Sequence, residues 1–267
     1  LTPCNKSVEF YVIKIFHLNM STTAISESIS EQQLAFFENQ GYLAMENLLS
    51  PDEVAYLRKI YDDFLSGAID SAGQRSDLSG LGTGRELITQ IMRPSLLLKE
   101  LENSTLHQRA KAIARQLLGE DMDVDFDMLI DKAPFTDTPT PWHQDEAYWI
   151  DMPDKRAVSC WVALDAATLG NGCMWFVPGS NLAPLRPHEQ TGKGGALQCE
   201  ATEAEAVAVP LQPGSCTFHH GRTVHYSRGN STASHRRAFI VNFRPTAMIA
   251  FERERGYDHL GNREVRQ

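Results

Sequence analysis

A chain of 267 residues, 42% hydrophobic and 22% charged, has the length and apolar content to fold around a sizeable core. Its formal net charge of −9 and its lack of any Lys/Arg block argue against a nucleic-acid partner, which needs a basic face. No apolar run approaches the roughly eighteen residues of a membrane span, and five scattered cysteines (Cys4, Cys160, Cys173, Cys199, Cys216) without a C-x-x-C pair predict reduced thiols in a cytoplasmic protein.

Residues 1–19 precede the first methionine, Met20, and Lys14 interrupts their apolar stretch. They read as a leader or appended segment outside the fold, with one domain over residues 20–267. Ser30-Glu31-Gln32-Gln33 forms a capping-box pattern that opens a helix ending at Gly41. A strand over 42–48 follows. Ser50-Pro51-Asp52-Glu53 opens a second helix, with Val54, Leu57, Ile60, Tyr61 and Leu65 at helical spacing before Gly67. Residues 68–86, rich in Gly, Ser and Asp, read as a surface loop, and 95–118 as one helical region closed by Gly119.

From Met122 the texture changes to short apolar runs between Pro, Gly and Asn turns. Strands are expected over 124–130, 142–149, 157–164, 174–177, 207–209, 215–219 and 237–243, with 192–206 a surface connection. Helices over about 30–118, then strands over about 122–245, predict an α+β, mainly β fold: N-terminal helices packed on a jelly-roll core.

The chemistry concentrates at Trp142-His143-Gln144-Asp145. On a strand, His143 and Asp145 project to one face, supplying two members of the 2-His-1-carboxylate set that binds non-haem Fe(II) and leaves positions open. A third ligand must come from downstream, where His219, His220 and His225 all qualify. Arg236 opens an apolar strand, and an arginine entering a sandwich interior must meet an anion such as a dicarboxylate. Strand alternation places Arg237 on the opposite face, as a solvated neighbour. Tyr148, Trp149 and Trp175 are candidates for a substrate-pocket wall, while His188, His235 and His259 sit in polar, surface-like contexts.

These blocks, with Trp161 through Thr168, Asn171 through Ser180 and Pro213 through Arg237, resemble the phytanoyl-CoA dioxygenase-like Fe(II)/2-oxoglutarate oxygenases over about residues 30–245. The resemblance implies a double-stranded β-helix core, with His143, Asp145 and His225 as iron ligands. It selects His225 because the family's distal histidine stands eleven residues before its cosubstrate arginine, here Arg236. It further implies that Ser227, Trp161, Met128 and Gln90 line the 2-oxoglutarate site, Gln90 standing where some relatives carry a lysine. The cofactors implied are Fe(II), 2-oxoglutarate and O₂, and the reaction is oxidation of an unactivated C–H bond of a small molecule with release of succinate and CO₂. Because Asp145 is present, halogenation is not expected. The competing readings are a catalytically silent metal- and 2-oxo-acid-binding sensor, a cupin-type metalloenzyme without 2-oxoglutarate, which Arg236 argues against, and an acyl-CoA hydroxylase. Against the last, the loops nearest the site carry more acids than bases, favouring a small amphiphilic or cationic metabolite.

Overall fold

A computed structural model describes residues 28–79, 81, 84–191 and 196–260, so the expectation for residues 1–19 lies outside the described residues. The first helix, α1 (Glu31–Gln40), has the expected capping box: Ser30 accepts from the Gln33 N–H, and Gln33 reaches back to the Ser30 N–H. It leads into β1 (Tyr42–Met45). Helix α2 (Pro51–Ser66) repeats the device with Ser50 and Glu53, with proline in the first turn.

The stretch expected to be loop contains a short strand, β2 (Arg75–Asp77), which pairs with β3 (Ile88–Met92). Nothing in the composition of 68–86 marks β2, because the pairing is made by β3 from beyond the loop. The helical region over 95–118 is broken into α3 (Pro94–Leu97), a 3-10 turn over Lys99–Asn103 and α4 (Thr105–Leu118), since Ser104 caps a fresh start.

The strands that follow are β4 (Met122–Lys132), β5 (Thr140–His143), β6 (Val158–Ala163) and β7 (Met174–Phe176). Two short strands, β8 (Glu189–Thr191) and β9 (Ala196–Gln198), pair with each other, and β9 falls within the expected surface connection. After it come β10 (Val207–Val209), β11 (Cys216–His220), β12 (His225–Ser227), β13 (Arg236–Pro245) and a helix the sequence reading did not anticipate, α5 (Thr246–Arg253).

Among the described residues all strand pairs are antiparallel. One sheet runs β1-β11-β6-β13-β4-β3-β2 and a second runs β10-β7-β12-β5. Two apolar cores use opposite faces of the larger sheet. On one face Val158, Cys160, Val162, Phe218, Phe239, Val241 and Phe243 pack against α1, α2 and α4. On the other, Trp161, Ala163, Ala238 and Ile240 meet Met174, Phe176 and Val209 of the smaller sheet. The period of two along β6 and the central part of β13 thus sorts their residues to the helices or to the inter-sheet space. Among the described residues no helix is long and apolar enough to cross a membrane.

Candidate active site

The inter-sheet space opens into a cavity of about 140 Å³. Its floor is the larger sheet, read in rows from the strand register. His219, Ser159, Asn242 and Phe126 are consecutive partners across β11, β6, β13 and β4, and Trp161, Ile240 and Met128 form the next row. The smaller sheet contributes His143, His225 and Ser227, with His143 paired to His225.

His143 and Asp145 reach the cavity by a different route from the one expected. The strand over 142–149 stops at His143, and Asp145 begins a 3-10 turn over Asp145–Tyr148. Against β12 the partners step from His143 to Thr140 while β12 advances from His225 to Ser227, so β5 carries one extra residue, a bulge. The bulge turns both Thr140 and His143 inward, and the turn is held by the Glu146 N–H donating to the Gly221 carbonyl at 2.9 Å. Gly221 is required there by close approach: a Cβ at that position would lie 2.2 Å from the Trp149 ring. Tyr148 and Trp149 consequently line the cavity as anticipated, whereas Trp175 lies outside its wall, under the Arg228 guanidinium.

The metal-binding chemistry of the three side chains is well prepared. His143 Nδ1 lies 2.7 Å from the Pro141 carbonyl and His225 Nδ1 2.9 Å from that of Thr223. A ring nitrogen facing a carbonyl must carry the proton, which leaves Nε2 of each ring as the lone-pair donor. Those two Nε2 atoms stand 3.7 and 3.6 Å from Asp145 Oδ1, and among the described residues the trio is one of two groups suited to hold a metal. Burial alone would raise the Asp145 pKa, but the surrounding histidines outweigh it and hold the carboxyl well below the usual range. Burial, then His143, pushes His225 well below its ordinary value.

The second group, Asp125, Glu252 and His259, is already neutralised by protein. Arg244 lies 3.1 Å from Asp125 and 2.9 Å from Glu252, and Arg253 contacts both acids. His259, expected at the surface, stacks on Phe126 at 4.1 Å and forms part of the cavity wall with Tyr257 and Asp258. Its recruitment depends on α5 turning the chain back over the sheet, for which the sequence offered no local signal. His188, also expected at the surface, is half-buried and accepts the Gln144 N–H, while His235 keeps an exposed face and pairs with Asp131.

At the far end of the cavity Arg236 is 1% exposed, and its Nε and Nη1 have no hydrogen-bond partner among the described residues. Its guanidinium lies 5.3 Å from the Trp161 ring centre. Burial lowers its pKa to about 10, which leaves it cationic at neutral pH. Nearby Lys132 is spent on the carbonyls of Thr138, Ser227 and Arg228. Ser227, Trp161, Met128 and Gln90 all line the cavity, although the Gln90 amide is turned to Met128 Sδ at 3.3 Å. Arg237 is not solvated as expected. It points to the helical side and pairs with Asp165 and Asp62, because that face also carries acids from α2 and the β6–β7 connection.

The family model for phytanoyl-CoA dioxygenase (PhyH) matches residues 37–238. Peroxisomal phytanoyl-CoA dioxygenase of Rattus norvegicus is 24% identical over 231 residues, spanning 80% of this chain and 68% of that protein. EvdO2 of Micromonospora carbonacea var. aurantiaca, also solved complexed with 2-oxoglutarate, is similar at a TM-score of 0.71 and 32% identity, covering 81% of this chain and 91% of that one. SnoK, a non-heme alpha ketoglutarate dependent carbocyclase from nogalamycin biosynthesis, is similar at a TM-score of 0.67 and 27% identity over 81% of this chain and 84% of that one.

Proposed function

The chain belongs to the phytanoyl-CoA dioxygenase family and is a 2-oxoglutarate-dependent non-haem iron dioxygenase; from that premise we propose that His143, Asp145 and His225 hold the iron and that Arg236 clamps the distal carboxylate of 2-oxoglutarate. The observation that carries this reading is a buried guanidinium with two partnerless nitrogens in the same cavity as two imidazoles whose free nitrogens converge on one carboxylate oxygen. Bound iron and 2-oxoglutarate supply oxidative decarboxylation to succinate and CO₂, coupled to oxidation of a substrate C–H bond. Ser227 and Trp161 would flank the cosubstrate, Met128 would pack beside it, and Gln90 would turn its amide from Met128 to join them. The two facing sheets correspond best to a double-stranded β-helix, with residues 20–267 forming one domain.

The substrate we favour is a small amphiphilic or cationic metabolite, such as an amino-acid derivative or natural-product intermediate, rather than an acyl-CoA. Among the described residues lining the cavity, Arg236 is the only Lys or Arg, and the acids Asp145 and Asp258 also line it, with Glu252 already paired to Arg244 and Arg253. A CoA thioester brings several phosphate charges that proteins meet with basic clusters or helix N-termini. Succinate formation should be assayed with Fe(II), 2-oxoglutarate and O₂ across amines, free acids, natural-product intermediates and acyl-CoA esters. Saturable turnover confined to the CoA esters overturns the substrate reading. His225→Ala should abolish iron binding and turnover, whereas His219→Ala should keep most turnover at saturating iron; the reverse pattern overturns the ligand assignment.

A further inference from the structure

The cavity floor is apolar in most of its rows, with Trp161, Ile240 and Met128 in one and Ala163, Ala238 and Ile130 in the next. The row beside Asp145 is instead polar on three adjacent strands. His219, Ser159 and Asn242 stand side by side on three neighbouring strands, each no more than 3% exposed. Burying three polar side chains in a row is unfavourable unless they are paired, and the group they converge on is Asp145. Ser159 Oγ lies 2.8 Å from Asp145 Oδ2, and His219 Nε2 lies 3.5 Å from the same oxygen, at the outer limit of hydrogen bonding.

Proton counting fixes the direction of this chain. Ser159 has one hydroxyl proton but stands near two oxygens, Asp145 Oδ2 and, at 2.7 Å, Asn242 Oδ1. If the proton went to Asn242, a hydroxyl lone pair would face an ionised carboxylate with nothing between them. The consistent arrangement has the Asn242 amide turned, so that its NH₂ donates to Ser159 and Ser159 donates to Asp145; amide oxygen and nitrogen exchange places on turning. His219 Nδ1 has no hydrogen-bond partner among the described residues, which agrees with its proton residing on Nε2, towards Asp145.

We infer that Asn242, Ser159 and His219 are positioning residues that occupy Asp145 Oδ2, so that the carboxylate meets the metal through Oδ1 alone and a coordination position stays open for the 2-oxo acid. The inference rests on the ligand assignment proposed above. It makes His219 a donor to the ligand rather than a ligand. Without the row, Oδ2 would be free to turn toward a bound metal as a second oxygen donor.

The test uses the full chain under anaerobic conditions, with Fe(II) affinity measured by titration and 2-oxoglutarate chelation followed by the visible charge-transfer band of the ferrous complex. Asp145→Ala should abolish Fe(II) binding. Ser159→Ala and His219→Phe should each weaken it about tenfold or more, in the range seen when outer partners of metal ligands are removed, and should raise the 2-oxoglutarate concentration needed to form the band. Ser159→Thr and His219→Gln, which keep a donor, should restore both readings, and circular dichroism should show all variants folded. If Asp145→Ala abolishes binding but Ser159→Ala and His219→Phe match the parent in affinity and band, the positioning role is overturned and the ligand assignment stands. If His219→Gln abolishes binding as completely as Asp145→Ala, His219 is a ligand and the inference fails. Should Asp145→Ala bind Fe(II) like the parent, the ligand assignment falls and the inference with it.

Discussion

A guanidinium held at 1% exposure with two unpartnered nitrogens is tolerable only if something outside the protein completes it. Arg236 therefore divides stability from function in a measurable way. Arg236→Met keeps the length of the side chain and removes a desolvated charge, so the melting temperature should hold or rise. The loss should appear instead in the 2-oxoglutarate requirement, raised about a hundredfold or more, as fits the ~3–5 kcal/mol cost of depriving a buried charge of its partner; a titration of succinate formation checks it. His220 offers a second separation. Its Nδ1 accepts the Arg222 N–H, and burial lowers its pKa to about 4. Between that value and the ordinary ~6.5 the unfolded chain binds the proton more readily, so stability is complete above about pH 6.5 and falls with acidification. By pH 5 the metal-free protein should lose about 2 kcal/mol from this residue. His220→Gln should show a flatter decline in thermal denaturation between pH 7 and pH 5.

At the level of elements, α5 has more influence on the cavity than its eight residues suggest. It carries Glu252 into contact with Arg244 of β13, and the segment beyond it lays Tyr257, Asp258 and His259 along the cavity wall. The anchor is a buried ion cluster. Burial alone would raise the Asp125 carboxyl, but Arg244, His259 and Arg253 outweigh it and hold it well below the usual range. Arg244 also lies 3.9 Å over the Trp149 ring, coupling α5 to the aromatic wall contributed by the turn after β5. Arg244→Met should leave Asp125 and Glu252 buried beside too little positive charge and cost about 3–5 kcal/mol, a drop of roughly 6–20 °C in melting temperature for a chain of this size. A melting point within a degree or two of the parent would show that the cluster does not anchor the wall.

Taken whole, the molecule is a larger sheet with a structural face and a chemical face, and residue parity along each strand decides which of the two a side chain serves. Phe218, fully buried on the helical side, and Trp161, 3% exposed beside Arg236, sit on neighbouring strands of that sheet. Phe218→Ala should cost about 3–5 kcal/mol through its cavity yet leave the 2-oxoglutarate requirement of the folded enzyme unchanged. Trp161→Ala should be destabilising too, but should also raise that requirement, because the indole faces the Arg236 guanidinium. Denaturation and cosubstrate titration, run on both variants, separate the two faces.

What the sequence determined by itself is whatever depends on neighbours along the chain. The capping boxes at Ser30 and Ser50 are local hydrogen-bond patterns and formed where they were expected. The strands around Val158, Met174, Cys216 and Ala238 follow from short apolar runs between turns. The spacing of His143, Asp145, His225 and Arg236 was legible as a resemblance, and all four do line one cavity. Only the tertiary structure decided features made by contacts distant in sequence. The bulge that aims His143 depends on pairing with β12. Pairing with β3 makes β2 a strand. The partners of Arg237 come from α2 and the connection after β6. His259, polar in every local context, becomes a cavity wall because a buried ion cluster folds α5 back over the sheet. The polar row beneath Asp145 is equally non-local: Ser159, His219 and Asn242 stand far apart in the chain, and only the strand register brings them under one carboxylate oxygen.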